Sequence, residues 1–530
     1  MVFFIVIYVL CAIYMVLNFK YDLQMFQQNS YRIDRYWKWL RPNIMTPWRL
    51  TDVACLFLVL ASQLLDFRLG AFFVGIVALT KIFLIFRKKY KKPLVMTKRV
   101  WRLYSLTALI SVGAVTAAAI CTWCNTYGLY NGAQITLGLI FLISIFSWAV
   151  MMLAHIILIP VEKNIQQGYI NDAKRILRSM PDLKVIGITG SYGKTSTKHY
   201  LTRILAEEYD VLMTPGSFNT PMGVVRTVRE YLKPYNQIFV CEMGAKQPGD
   251  IKEICDIVDP TMGIVTAVGP MHLESFKTIG NVTKTKFELV DALPADGCAV
   301  INNDFEPCAD RQVTNTHCLR YGITNTEGCN YIATDIHYTP QGTQFTVLGP
   351  DGYKLELQTR LLGECNVSDL LAAVVIAHRL GMSADKIRYA ISTIEQVEHR
   401  LSIKQTPGGV TIIDDAFNSN PAGSKMAVDV LSHFTSGKRI IVTPGMIELG
   451  SEQFELNKQF GRYIGESVDV AIVVGEYNRR AITEGIKSTS FDNMNLHEVA
   501  TFNEAQQVLA SILAKGDAVL YENDLPDTFK

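Results

Sequence analysis

An α/β fold preceded by an α-helical transmembrane region is predicted by three features of this 530-residue chain. Residues 1 to about 160 are far more apolar than the rest, in runs approaching the ~20 residues that a bilayer core requires. From Lys184 onward, short β-branched runs alternate with helix-like segments, the pattern of parallel sheets covered by helices. The first of those runs leads into a glycine-rich turn carrying a lysine and two hydroxyls. Together these divide the chain into a transmembrane region at 1–160, a juxtamembrane amphipathic helix at 161–183, a P-loop-type central domain at 184–398 and a smaller C-terminal α/β domain at 399–530.

The apolar runs fall at 1–18, 52–67, 69–86, 105–122 and 135–159, giving about five helices. No positive residue precedes the first run and no small-residue cleavage site follows it, so it reads as an uncleaved anchor. Segment 19–51 carries Lys20, Arg32, Arg35, Lys38, Arg41 and Arg49, and segment 87–104 carries Arg87, Lys88, Lys89, Lys91, Lys92, Lys98, Arg99 and Arg102. The loop from Thr122 to Gln134 has no charged residue. With basic loops retained inside, the chain is expected in the plasma membrane as a multi-pass protein, its N-terminus outside and everything after Val161 in the cytoplasm. Charges within the runs are almost absent, with Asp66 and Lys81 near their edges, which gives no ion path. The region is expected to be an anchor, or alternatively to collect a lipid-borne anionic substrate, with membrane lipids as its partners. Ile165, Tyr169, Ile170, Ala173, Ile176 and Leu177 then recur at helical spacing among Lys163, Asp172, Lys174 and Arg175, which predicts the amphipathic helix.

Net charge is +2, and no soluble segment has the basic excess that nucleic acid demands. Eleven scattered cysteines suit a reducing compartment, and the one C-x-x-C pair, Cys121 and Cys124, lies beside a membrane run. Strands are expected at Val185–Ile188, Gln237–Cys241, Met262–Thr266, Ala299–Ile301, Val410–Ile413, Arg439–Thr443 and Val468–Val474. A helix is expected from Ser368 to Leu380, and the domain boundary follows it.

Gly187-Ile188-Thr189-Gly190-Ser191-Tyr192-Gly193-Lys194-Thr195-Ser196 is a phosphate cradle. Glycines let backbone N–H groups close on phosphates, a lysine neutralises the terminal ones, and a hydroxyl opening the next helix can hold Mg²⁺. Position 188 is Ile where the commoner loop has its first glycine, so the spacing is G-x-x-G-K-T. ATP and Mg²⁺ are the expected cofactors. Strand 237–241 delivers Glu242 at its carboxyl end, where open α/β sheets place ligands and where a carboxylate can hold the nucleotide's metal. The next strand is followed by Gly269-Pro270-Met271-His272, presenting a histidine at the same edge.

VIGITGSYGKTS, GSFNTPMGV, CEMGAKQPGDI, TAVGPMHLESF, KTKFELV, INND, LLGECNVSDLLAA, HRLSI and IDDAFNSNPAGSKMA follow one another in an order and spacing that resembles the Mur ligases, over about residues 184–525. The pattern is most similar to the D-alanyl-D-alanine-adding member. The resemblance implies ATP-dependent amide formation: phosphoryl transfer to a carboxylate, then attack of an amine on the acyl phosphate. It implies that Gly190, Ser191, Tyr192, Gly193, Lys194, Thr195 and Ser196 hold the phosphates. Thr195 and Glu242 then bind one Mg²⁺ and His272 a second. Lys286 matches the lysine that the family carbamylates into a metal ligand, with Lys284 as its rival. Asn303 and Asn366 match positions near adenine, and Arg400 and Asp415 reach the nucleotide from the last domain. Asn219 and Thr220 match the substrate-carboxylate side, and Asn418 and Asn420 the closing loop, although such residues also suit turns for local reasons.

Cys365 and Asp369 stand where the pattern has His and Asn, and Tyr521-Glu522-Asn523-Asp524-Leu525-Pro526 replaces a Lys-Gly-Ser-Arg stretch. Membrane-like sequence also occupies the place of the family's uridine-nucleotide-binding domain. The expected partners are therefore a cell-envelope precursor, UDP-linked or lipid-linked, and an amino acid or dipeptide, with no nucleic acid. A ligase for another carboxylate polymer such as polyglutamate, or a non-catalytic membrane ATP-binding scaffold, are the alternative readings.

Overall fold

The computed structural model describes residues 2–62, 67–88, 90, 92–123, 128–339, 342–416 and 419–524. Cys124, Asn418 and positions 525–530 lie outside the described residues, as does the 63–66 link containing Asp66. The chain divides into two compact units, 1–167 and 168–530.

The first unit is helical. Four of its helices are long and apolar enough to cross a membrane: Ile5–Gln28, Phe67–Arg87, Lys98–Thr122 and Ser147–Arg178, the last continuing into the second unit. A helix pair, Ile33–Asn43 and Pro47–Ala61, is bent by 70° and counts as a fifth candidate if it is one span. The run at 135–159 is not one helix, as expected, but two, Gly128–Ile145 and Ser147–Arg178, broken at Phe146. At the break the Ser147 hydroxyl donates to Asp22. The juxtamembrane helix is likewise not separate, because Ser147–Arg178 runs unbroken through Pro160. Its last turns do carry an apolar face: Ala173 is buried, and Tyr169, Ile170, Ile176 and Leu177 pack on the core beneath the first sheet of the second unit.

Large apolar side chains such as Phe57, Phe72, Phe83, Phe86 and Leu109 face outward from this unit. Its interior holds a few paired charges. Lys81 is buried: its Nζ lies 2.6 Å from Asp52 Oδ1 and donates to the Trp48 carbonyl at 2.8 Å. Tyr14 donates to both Asp52 oxygens at 2.8 and 2.9 Å. Arg49 pairs with Asp22 at 2.7 Å, and Tyr36 donates to the same carboxylate at 2.9 Å.

The second unit holds two sheets. Strands β1 (Lys184–Thr189), β2 (Val211–Met213), β3 (Ile238–Glu242), β4 (Met262–Val265), β5 (Cys298–Asn302), β6 (His317–Gly322), β7 (Tyr331–Thr339), β8 (Gly342–Leu348) and β9 (Lys354–Thr359) form the first. Its order is β2-β3-β1-β4-β5-β6-β7-β8-β9, parallel as far as β7 and antiparallel beyond. The antiparallel extension β7–β9 was not expected. Strands β10 (Ser402–Gln405), β11 (Thr411–Asp415), β12 (Arg439–Thr443), β13 (Val470–Val474), β14 (Leu496–Val499) and β15 (Ala518–Glu522) form the second, in the order β10-β11-β15-β12-β13-β14.

The β1 and β3 side chains are almost wholly buried, because helices cover both faces of the sheet. Ile186 and Ile188 face one core layer, and Val185 and Phe239 the other. After β1 the chain first builds strands on one side of it and then crosses to β4 on the other. The carboxyl end of β1 is thus the topological switch point, the place where open α/β sheets bind ligands.

Candidate active site

The phosphate loop occupies that switch point. β1 ends at Thr189, and helix Lys194–Leu205 starts with Gly193 in the left-handed region at φ 77° as its N-cap. Only glycine fits here, since a side chain at Gly193 would collide with the Asp369 carboxylate. The loop is laced to the segment after β4. Ser191 N–H donates to the Ala267 carbonyl at 2.7 Å, the Ser191 hydroxyl to that of Gly269 at 3.1 Å, and the Tyr192 hydroxyl to that of Pro270 at 3.1 Å. Such bracing holds the free N–H groups of the helix start in one arrangement, ready for an anion.

Lys194 Nζ donates to the Gly190 carbonyl at 2.7 Å and that of Ser191 at 3.2 Å. Burial, only partly countered by Glu242, lowers its pKa to about 8. Thr195 Oγ1 lies 3.2 Å from Glu242 Oε1 at the end of β3, and Asn219 Nδ2 donates to the same oxygen at 2.9 Å. Burial pushes the Glu242 carboxyl up, but Lys198 and Lys194 outweigh it and the net shift is downward. Glu242 is therefore an anion at neutral pH. A hydroxyl and a carboxylate converging beside a phosphate cradle is a donor set that suits Mg²⁺, so the residues present fit that ion.

Lys286 lies on helix Ile279–Asp291 among buried Val282, Phe287, Leu289 and Val290, each contributing about 1.5–3 kcal/mol of burial energy that offsets the cost of the lysine. It is 3% exposed, while Lys284 is exposed, so the helix face separates the two lysines. Lys286 makes no hydrogen bond or ion pair with a described residue. Burial, then the charge of Lys194, holds its ammonium well below the usual range. Such an ammonium gives up its proton more readily than an exposed lysine, and the free amine is the form that can react with CO₂. His272 has φ 52°, and its Nδ1 meets Glu448 of the second sheet's loop. Burial lowers the pKa of His272 against the opposing pull of Glu448, and Lys246 and Lys286 are among its charged neighbours. Among the described residues no three His, Cys, Asp or Glu side chains form a metal cluster, and the set above is accordingly mixed: Thr, Glu, His and Lys.

The remaining expected residues are engaged as follows. Asn303 gives its amide to the Asn325 and Glu327 carbonyls at 3.1 and 3.0 Å, pinning a loop. Asn366 accepts from Tyr200 at 2.6 Å and donates to the Leu362 carbonyl at 2.8 Å, tying helix Glu364–Arg379 to the helix that follows the phosphate loop. Thr220 and Asn420 are N-caps, accepting from Gly223 N–H at 3.3 Å and Gly423 N–H at 2.8 Å, each with proline at the first helical position. Arg400 sits between His399 and Leu401, both with positive φ, and its charge acts on Lys194, Asp369 and Asp415. Asp415 ends β11 beside Glu522 of β15, and burial raises its pKa to about 6.

Three residues were missed as contributors. Lys198 is fully buried, 3.0 Å from Glu242 Oε2, and lies one helical turn beyond Lys194 on the same face. That i, i+4 spacing was the available signal. Asp369 accepts from Thr197 Oγ1 at 2.9 Å beneath the loop. Glu448 carried no local signal, because its partner lies on the other sheet.

Residues 188–377 match the Mur ligase middle domain, and 399–521 match the Mur ligase glutamate ligase domain. A UDP-N-acetylmuramoyl-tripeptide–D-alanyl-D-alanine ligase of Haemophilus influenzae is 30% identical over 322 residues, 59% of this chain and 68% of the relative. The Escherichia coli ligase of that name is 29% identical over 343 residues, 64% of this chain and 75% of the relative. Among solved structures, MurF from Acinetobacter baumannii aligns with TM-score 0.62 at 26% identity, covering 68% of this chain and 77% of that one. MurF from Thermotoga maritima, solved in complex with ADP, aligns at 0.60 and 26%, covering 68% and 80%. The phosphate loop, the carboxylate and buried lysine beside it, and these likenesses lead to one conclusion: the chain belongs to the Mur ligase family of ATP-dependent, ADP-forming ligases.

Proposed function

We propose that this ligase adds an amino acid or a dipeptide of the D-alanyl-D-alanine kind to a peptidoglycan or other cell-envelope precursor, from the cytoplasmic face of the plasma membrane. The observation that carries the reading is the convergence of Lys194, Thr195 and Glu242 at the carboxyl end of the first sheet, with the buried Lys286 near enough for the Lys194 charge to act on it. Loop N–H groups and Lys194 would bind the β- and γ-phosphates. Thr195 and Glu242 would hold one Mg²⁺, and His272 with carbamylated Lys286 a second; bound there, the metal supplies charge neutralisation as the phosphoryl group moves. Arg400 and Asp415 would meet the nucleotide from the second sheet, and Asn219 would face the substrate carboxylate. Asn420, with Asn418 by its place in the sequence, would close over ATP and the amine.

Four apolar helices with outward-facing phenylalanines and leucines support a membrane location, and the basic segments at 19–51 and 87–104 support cytoplasmic catalytic domains. The family match begins at residue 188, which leaves the carrier of the acceptor peptide, UDP or polyprenyl phosphate, to experiment. Full-length protein in nanodiscs, given ATP, Mg²⁺, D-alanyl-D-alanine and either a UDP-linked or a lipid-linked tripeptide, should release phosphate and lengthen one of the peptides by mass spectrometry. Lys194→Ala should abolish turnover. Turnover unchanged in that variant, or ATP binding with no phosphate release for either acceptor, would overturn the assignment.

A further inference from the structure

Glu448 and His272 form a contact between the two sheets that the ligase reading alone does not explain. Glu448 lies in the loop after β12, and its carboxylate meets His272 Nδ1 at the end of the segment after β4. Both residues hold left-handed backbone, at φ 62° and 52°, a conformation costing roughly 1–3 kcal/mol for non-glycine residues and kept only where surroundings impose it. The neighbouring backbone is engaged too. Glu274 N–H lies 3.4 Å from the Glu448 carbonyl, and a Cβ on Gly450 would sit 3.3 Å from Glu274 N and Leu273 C. The loop is also clamped from behind. Met446 N–H donates to Asn457 Oδ1 at 2.9 Å, Leu449 N–H to Gln453 Oε1 at 3.1 Å, and Asn478 Nδ2 to the Met446 carbonyl at 2.8 Å. A rigid loop of one sheet thus delivers a carboxylate to a histidine of the other.

We propose that Glu448 is a positioning residue that fixes His272 through Nδ1, leaving Nε2 as the metal-binding nitrogen, so that the second metal position is complete only when the second sheet is seated on the first. This rests on the Mur-type reading of His272. Histidine ligands commonly donate their other N–H to a carboxylate, and loss of that partner typically weakens metal binding about 10–100-fold. The geometry makes metal affinity depend on a residue of the other sheet that need not touch the metal.

The test uses full-length protein in nanodiscs with a non-hydrolysable ATP analogue, titrated with Mn²⁺ and read by the electron paramagnetic resonance signal of free Mn²⁺. Wild type should show two classes of site. In Glu448→Ala the weaker class should lose about 10–100-fold in affinity, as in His272→Gln, while analogue affinity stays within about 2-fold. Glu448→Gln, which keeps an acceptor oxygen for Nδ1–H and is the variant to read if the alanine form does not fold, should lose less. A Glu448→Ala or Glu448→Gln titration that overlays wild type while His272→Gln does not would overturn the proposal and leave the ligase reading standing. Wild type with one class of site, or none, would overturn both.

Discussion

Two buried lysines show what separates the halves of this molecule. Lys81, in the helical unit, is 4% exposed and meets Asp52, Tyr14 and the Trp48 carbonyl; Lys286, on helix Ile279–Asp291, is 3% exposed and makes no hydrogen bond or ion pair with a described residue. Equal burial therefore carries opposite meanings. Removing a charge from water costs several kcal/mol, and the cost is met by pairing or by neutralising the group. Lys81 is paired, which fixes how its helices pack. Lys286 has no such partner, and burial favours its uncharged, nucleophilic form. Burial alone marks neither a structural nor a functional lysine; the partner list does.

Breaking the unpaired lysine should have the largest effect on activity and a small one on folding. Lys286→Ala is expected to lower phosphate release by on the order of 10²–10³-fold, the scale for losing one preorganised charge-stabilising group. Added formate or acetate should partly restore turnover by entering the space that the proposed carbamate would fill. Lys286→Met should melt at the wild-type temperature or above it, because it removes an unpaired polar group from the interior. A Lys286→Met protein that unfolds early, or a Lys286→Ala enzyme indifferent to carboxylates, would erase the contrast with Lys81.

The paired lysine should behave the other way. Lys81→Met leaves Asp52 buried with Tyr14 as its one donor among the described residues and should cost about 3–5 kcal/mol, the penalty of breaking a buried pair from one side. The double variant Lys81→Met/Asp52→Leu should recover most of that loss. Thermal aggregation of the detergent-solubilised protein reads this directly, and equal instability of the single and double variants would show that the pair is not what the helices depend on.

The phosphate loop and the strands feeding it were legible because glycine, lysine and hydroxyl spacing is a local signal, as is a β-branched run. Extension strands β7 to β9 were not read, although Lys354–Thr359 alternates exposed and buried positions with period two. Helix Gly128–Ile145 was merged with the next helix because hydropathy cannot see the break at Phe146. Lys286 was chosen over Lys284 through a resemblance, and the structure supplies the physical reason: position 286 shares a helix face with buried Val282, Leu289 and Val290. Thr220 and Asn420 illustrate the converse. Their side chains are spent on capping, a local role written into the Thr-Pro and Asn-Pro pairs themselves.

Asp369 lies between the two extremes and gives the smallest, most discriminating effect. It is buried beneath the loop with one donor, Thr197, and burial raises its pKa to about 8 against the weaker opposing pull of Thr197, Arg400 and Lys194. The sign of the consequence follows from proton linkage. Between about pH 4 and pH 8 the folded protein holds a proton on Asp369 that the unfolded chain has released, so stability is greatest below the unfolded value and declines as pH rises through the folded one. Asp369→Asn keeps an acceptor for Thr197 but cannot titrate. Nucleotide-free wild type should therefore lose melting temperature between pH 5 and pH 8.5 more steeply than the variant, the two lying close together at the acid end. Parallel curves would mean that Asp369 is compensated as fully as Lys81, and that partial pairing under the phosphate loop leaves no trace in the fold's stability.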